Sequence, residues 1–372
     1  MRVFRLLASA GLAVLALSMM QRGNATDPLP VLPALNIDIR ETSVSGISSG
    51  GFMAVQFEVA HSAIVKGAGV VAAGPYYCSQ GSAITATTAC SCTLDPTHAL
   101  CQVSPDSAKV PALVEASRRF AANKWIDDPA GLARHRVLSF AGGKDETVPA
   151  PVVGQLGAYY SALGVPKDQL SAISLPDAGH TMPTIDYGGA CALTQEPYLN
   201  RCNYDGAGAI LSWIYGPLTR PPAKQKPGRL IRFDQRAYIP ENGRYSWSNG
   251  LDSSAWLYLP ASCAKGEPCR LHIALHGCRQ GQTYLPLHPL PDGGTYYGTT
   301  FVEHAGYNRW AEANHVAVLY PQAVSVLFKN PNGCWDWWGY SGEHFADKQG
   351  VQIATLRAMV DRLSSGVKTK QP

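Results

Sequence analysis

Charge is scarce in this sequence. Only 16% of its 372 residues are Asp, Glu, Lys or Arg, and the formal net charge is +4. So mild a balance, with no run of lysines or arginines, does not suggest a nucleic-acid partner. Low hydrophobicity is missing as well: 46% of the residues are hydrophobic, which excludes disorder over most of the chain. No internal repeat of solenoid or propeller period is visible. Beyond residue 20 no stretch of about 18 apolar residues runs free of charge, so no membrane contact is expected once the N-terminal segment is removed. The length allows roughly two domains of about 150 residues, or one large α/β domain.

The N-terminus reads as an address. Arg2 and Arg5 precede an apolar stretch from Leu6 to Met20, and Gly23, Asn24 and Ala25 supply small residues at a cleavage site. The apolar stretch is about 15 residues, short of the ~20 that a membrane helix needs. Residues 1–25 are therefore expected to be a secretory signal peptide, and the protein to be secreted or periplasmic. The ten cysteines, at 78, 90, 92, 101, 191, 202, 263, 269, 278 and 334, all follow it. An even count in an exported chain points to disulfides. Spacing favours Cys191 with Cys202 and Cys263 with Cys269, each closing a short loop. Cys78, Cys90, Cys92 and Cys101 are expected to pair among themselves, in an order left open, and Cys278 and Cys334 remain for each other. Cys90-Ser91-Cys92 lacks the two-residue gap of a zinc knuckle, so no metal is expected.

Proline-rich residues 26–35 are expected to run over the surface. Residues 36–45 alternate apolar and polar as a strand does; GISSGG follows as a turn, then a helical pattern from Phe52. Further strands are expected over 65–73, 136–141, 171–175, 254–260, 270–276 and 315–321. Helices are expected over 107–123, 151–163, 204–215 and 348–364, and a disulfide-stapled loop over 75–103. Strands alternating with helices imply a parallel sheet covered on both faces. The Pro- and Lys-rich residues 217–228 are the strongest linker-like break. They leave open whether 229–365 is a second domain or more of the same sheet.

Gly46-Ile47-Ser48-Ser49-Gly50 matches G-x-S-x-G between a strand and a helix, the context in which the motif presents a nucleophilic serine. Ser48 has Gly at both −2 and +2, which selects it over Ser49. A serine nucleophile needs a base, and the base an orienting acid. Asp145 follows the strand 136–141 and His180 the strand 171–175, giving the chain order Ser, acid, His. Asp177 lies too close to His180 in sequence to serve as the acid. Leu275-His276-Gly277-Cys278 follows another strand, as the second oxyanion donor does in lipases and esterases. That strand ordinarily precedes the nucleophile. Here it comes about a hundred residues after His180. Circular permutation, with residues 229–330 supplying the strands that usually open the fold, is the simplest account.

With Asn332-Gly333-Cys334-Trp335-Asp336-Trp337-Trp338-Gly339 added to these motifs, the sequence from about 38 to 365 resembles the single-domain, circularly permuted poly(3-hydroxybutyrate) depolymerases. The resemblance implies a mostly parallel α/β-hydrolase sheet with helices on both faces, and one catalytic domain over 26–365 followed by a tail, 366–372. It implies a triad of Ser48, Asp145 and His180, and an oxyanion hole from the backbone N–H groups of Ser49 and Cys278. It places a tryptophan, Trp335 or Trp337, beside a bound polyester polymer or oligomer.

Trp335, Trp337, Trp338 and Tyr340 cluster in a loop that is expected to rim the site, with core packing expected for one or two of the rings. Tyr296 and Tyr297 lie in a Gly-rich loop. The chain shows no Thr-rich linker or separate substrate-binding domain, so the catalytic domain itself is expected to grip polymer, or to act on soluble oligomers. Acyl transfer of this kind needs no cofactor or metal, and no obligate protein partner is inferred. Two other readings stand beside it: a feruloyl or acetyl xylan-type carbohydrate esterase, and a non-catalytic secreted polymer-binding module.

Overall fold

The computed structural model describes residues 28–222, 224, 227–244, 248–286 and 294–367. The expected signal peptide and most of the expected tail lie outside the described residues. Eleven strands are described: β1 (Ile37–Ile47), β2 (Val65–Val71), β3 (Arg136–Gly142), β4 (Leu170–Leu175), β5 (Met182–Thr184), β6 (Gly189–Ala190), β7 (Leu199–Arg201), β8 (Arg229–Asp234), β9 (Ser254–Leu259), β10 (Cys269–Leu275) and β11 (Val316–Tyr320). The longer helices are α1 (Ser49–Ala60), α2 (Val110–Ala122), α3 (Ala150–Ala162), α4 (Gly206–Tyr215), α5 (Tyr307–Ala313) and α6 (Val351–Ser364).

Eight strands form one sheet in the order β4-β3-β2-β1-β10-β11-β9-β8. From β4 to β11 every pairing is parallel, and β9 and β8 join antiparallel at the far edge. The residues on either side of the Pro- and Lys-rich break therefore share one sheet, and β1 pairs directly with β10 across it. Spatial order and chain order disagree in one systematic way. The strands that ordinarily open an α/β-hydrolase sheet come from the C-terminal half, so the fold is the circularly permuted form.

Parallel strands buried on both faces are almost wholly apolar, and every residue of β11 is buried. Right-handed crossovers set α1, α2 and α3 on one face. There Tyr160 of α3 donates its hydroxyl to Glu58 of α1, and the hydroxyls of Tyr159 of α3 and Ser117 of α2 lie 2.7 Å apart. α6 packs beside α1 on β1. Covered on every side, α1 buries all twelve of its residues, which is why its sequence lacks a polar face. The opposite face carries α4 and α5. Asp205 caps α4 through Gly208 N–H at 2.9 Å and accepts from Trp310 Nε1 of α5 at 2.8 Å.

Three expectations need adjusting. The helix after β1 starts at Ser49, not Phe52, so the turn shrinks to Ser48 alone. The proline-rich segment does not simply cross the surface. Leu32 is fully buried, its carbonyl accepts from Arg362 Nε at 2.7 Å, and Leu35 N–H donates to Leu363 O at 2.8 Å. The loop 75–103 holds a short helix, Ala83–Thr88, capped by Ser82 Oγ on Thr85 N–H at 3.1 Å. The cysteines form Cys78–Cys90, Cys92–Cys101, Cys191–Cys202, Cys263–Cys269 and Cys278–Cys334.

Candidate active site

All the motif residues gather at the C-terminal edge of the parallel strands, where open α/β sheets hold their ligands. Ser48 follows β1, Asp145 follows β3, His180 follows β4, and His276-Gly277-Cys278 follows β10. The register aligns these exits, with Gly46 opposite Leu275 and Gly142 opposite Leu175.

Ser48 alone makes the turn from strand to helix. Its φ of 57° and ψ of −124° are strained for a residue with a Cβ, and its side chain makes no capping bond to α1. Glycine is required at position 50 because the bend is pressed against the β10 exit. A Cβ there would come within 2.3 Å of His276 O and 2.5 Å of Leu275 O. Gly277 faces the bend from the other side, less tightly: a Cβ on it would lie 3.2 Å from Ile47 O and 3.3 Å from Ser48 Cβ. The HGC turn thus sits directly against the GISSG bend.

Asp145 and His180 are both buried. Asp145 Oδ2 lies 2.8 Å from His180 Nδ1, while Oδ1 accepts from the backbone N–H groups of Thr147 at 2.9 Å and Val148 at 2.8 Å. These bonds aim the carboxylate and leave Nε2 as the ring atom available to a substrate or nucleophile. Thr194 Oγ1 accepts from the His180 backbone N–H at 2.9 Å, and the Tyr198 ring meets the imidazole edge-on at 5.9 Å. Asp177 points outward and pairs with Lys144 at 2.9 Å. Ser48 and His180 line one cavity of about 560 Å³ together with Gly277, Cys278, Tyr198, Trp337 and Trp338. No hydrogen bond joins Ser48 Oγ to the imidazole; such bonds commonly tighten only once substrate is bound. Ser49 N–H stands in the first turn of α1, where the helix dipole is positive.

The disulfide Cys278–Cys334 ties the turn after β10 to the aromatic segment, and Trp335 N–H donates to Ser49 Oγ at 3.3 Å. Asp336 organises that segment. Its Oδ1 accepts from the N–H groups of Gly339 at 2.7 Å and Tyr340 at 3.0 Å, and its Oδ2 from Ser341 N–H at 2.7 Å. Burial nevertheless raises the Asp336 pKa.

The four aromatics expected at the rim divide into two pairs. Trp337 stacks on Phe52 at 4.0 Å and, with Trp338, lines the cavity. Trp335 is fully buried, with its ring 5.6 Å from that of His276. Tyr340 is also buried, donating its hydroxyl to Cys334 O at 2.9 Å. Packing accounts for both, and neither lines the cavity. Tyr297 donates to Glu196 Oε2 at 2.8 Å, Tyr296 is exposed, and both are likewise outside the cavity lining. Reading the sequence missed Tyr198 and Phe52. Tyr198 lies in a short irregular segment with no periodic signal, and Phe52 looks like any other apolar residue of α1.

No protein-family model matches the chain. A polyhydroxybutyrate depolymerase of Talaromyces funiculosus is 35% identical over 360 residues, which cover 92% of this chain and 95% of that protein. The chain belongs to the poly(3-hydroxybutyrate) depolymerase family. A poly(3-hydroxybutyrate) depolymerase of Delftia acidovorans is 40% identical over 339 residues, 90% of this chain. This depolymerase-family chain spans 62% of the length of that relative. Among solved structures, the PHB depolymerase from Penicillium funiculosum matches with a TM-score of 0.76 at 32% identity, covering 91% of this chain and all, 100%, of that one. A serine-to-alanine PHB depolymerase complexed with an R3HB trimer matches with a TM-score of 0.76 at 33% identity, over 91% and 100% of the two chains.

Proposed function

We propose that this chain is an exported serine esterase that hydrolyses poly(3-hydroxybutyrate)-type polyesters or their oligomers. The observation that carries this reading is the buried Asp145–His180 pair, bonded at 2.8 Å on the cavity that Ser48 and Cys278 share. His180 Nε2 takes the proton of Ser48 as its oxygen attacks an ester carbonyl. Asp145 holds the tautomer and stabilises the imidazolium. The tetrahedral oxyanion forms against the N–H groups of Ser49 and Cys278, and losing one such donor typically costs about 3–4 kcal/mol. The alcohol leaves with the proton from His180. Water, activated by the same ring, then releases the hydroxyacyl group from Ser48.

A cavity walled by Ile47, Phe52, Val148, Trp337 and Trp338 suits a chain of ester and methyl groups. Residues 26–365 would act as one catalytic domain, exported behind the signal peptide 1–25. Five disulfides support an oxidising compartment. No described helix is long and apolar enough to cross a membrane.

The test compares 3-hydroxybutyrate release from polyester film with ferulate release from a feruloylated sugar. Release of the hydroxy acid, abolished by Ser48→Ala, is the expected result. Ferulate release alone would move the chain to the carbohydrate esterases.

A further inference from the structure

Both backbone polar groups of Gly277 are held by side chains. Its N–H donates to Gln280 Oε1 at 2.5 Å, and its carbonyl lies 2.7 Å from His276 Nδ1. That carbonyl belongs to the same peptide unit as Cys278 N–H. The tautomer of His276 follows from a backbone donor. Ala323 N–H lies 3.1 Å from His276 Nε2 and can only donate. Nε2 is therefore the acceptor, and Nδ1 carries the proton. His276 is fully buried, and burial pushes its pKa down to about 4, so the ring is neutral near pH 7.

We propose that His276 is a positioning residue for acyl transfer: its Nδ1–H grips the Gly277 carbonyl and thereby orients and polarises the Cys278 N–H toward the developing oxyanion. The proposal rests on the assignment of Cys278 to the oxyanion hole. A peptide unit is planar with conjugated C=O and N–H. Fixing the carbonyl direction therefore fixes the N–H direction, and drawing electron density onto the oxygen strengthens the N–H as a donor. The bonds run in one sense, from Ala323 N–H through the imidazole and the Gly277–Cys278 peptide to the substrate oxygen. Hydrogen bonds aligned in this way reinforce one another. Gln280 steadies the preceding peptide and spans to the histidine loop, where its Nε2 donates to Pro197 O at 2.6 Å. The ring needs no charge for this role, and its burial withholds one.

Two substitutions separate the two ring nitrogens. His276→Asn keeps an amide donor near the place of Nδ1. His276→Gln reaches the place of Nε2 and keeps an acceptor for Ala323, but removes the donor to Gly277. In His276→Gln, kcat on a short p-nitrophenyl ester, per active site titrated with a fluorophosphonate, is expected to fall about tenfold with KM nearly unchanged, as for weakened transition-state binding. Affinity for an alkyl boronic acid should fall by the same factor, and His276→Asn should stay within about twofold of the parent. Equal kcat per titrated site in both variants, with changes only in Tm and titratable fraction, would mean packing and would overturn the proposal.

If a variant does not fold, the unmodified protein decides. Nitrogen-15 NMR of its histidines should place the proton of His276 on Nδ1, and that resonance should move downfield when the boronic acid adds to Ser48. A proton on Nε2, or an unmoved resonance, overturns the proposal. Failure of the fluorophosphonate to label Ser48 in the unmodified chain is a different result, and would sink the esterase reading itself.

Discussion

The two carboxylate oxygens of Asp145 do different jobs. Oδ1 is anchored by two backbone N–H groups, so Oδ2 meets His180 Nδ1 without a search over rotamers. Asp145→Asn would keep the shape but let the amide favour the wrong imidazole tautomer. In a well-studied serine protease that change lowers kcat about 10⁴-fold. A loss of at least about 10³-fold in ester hydrolysis, with Tm little changed, is expected here. Ser48→Ala should remove turnover while polymer adsorption persists, as measured by protein depletion from solution over a polyester film.

The tryptophans invite a contrast. Trp337 lies at the cavity wall, so Trp337→Ala should impair polymer attack more than attack on a short p-nitrophenyl ester. Trp335 is core, and Trp335→Ala should cost about 3–5 kcal/mol of stability, measured by denaturant unfolding, with both substrates affected alike. Composition alone could not divide the CWDWW rings, because which of them face inward is decided by the Asp336 turn, a long-range outcome of packing. Ser48, Asp145 and His180 could be singled out because each follows an expected strand with a glycine within three residues: Gly46 and Gly50, Gly143, and Gly179.

Strands and helices were legible wherever burial imposes a pattern: β1 alternates apolar and polar residues over 36–45, and β11 is a wholly apolar run closed by Pro321. The small sheet β5-β7-β6 has strands of two or three residues, too short for any period to register. α5 has seven residues and fails for the same reason. β8, a sheet edge carrying two arginines just after the Pro- and Lys-rich break, is absent from the strands expected past that break.

One covalent link between elements carries a prediction. Cys278–Cys334 closes a 56-residue separation and pins the turn that bears the Cys278 N–H. Removing a native disulfide typically costs about 2–4 kcal/mol. The double variant Cys278→Ser, Cys334→Ser should lose stability of that order. It should also lose kcat on short esters, read per fluorophosphonate-titrated site. An unchanged kcat would show that hydrogen bonds alone hold the turn.

For the whole molecule, buried histidines set a pH dependence. Desolvation lowers His61 to about 3, helped by Arg357 nearby; desolvation alone lowers His272 to about 3, and it is the main cause that lowers His276 to about 4. His272 is held between Ser43 Oγ and Ser45 Oγ, each at 2.7 Å. The unfolded chain binds protons at these rings below the ordinary histidine value of 6.5, while the folded chain does not until about 3 or 4. Their contribution is therefore complete above pH 6.5 and shrinks as pH falls toward 3, by at most about 1.4 kcal/mol per pH unit for each ring. Asp336, raised above 3.8, runs the opposite way just above that value. Thermal melts at pH 7 and pH 4.5 should show a clearly lower Tm at the acid value; equal melting would place charge on these rings in the native state.

The permuted order of strands also sets a timetable for synthesis. The serine bend at residues 46–50 leaves the ribosome more than two hundred residues before the β10 exit that packs against it. Until Cys278 and Cys334 have both emerged, the serine bend waits without the turn that packs against it and without the disulfide that pins that turn.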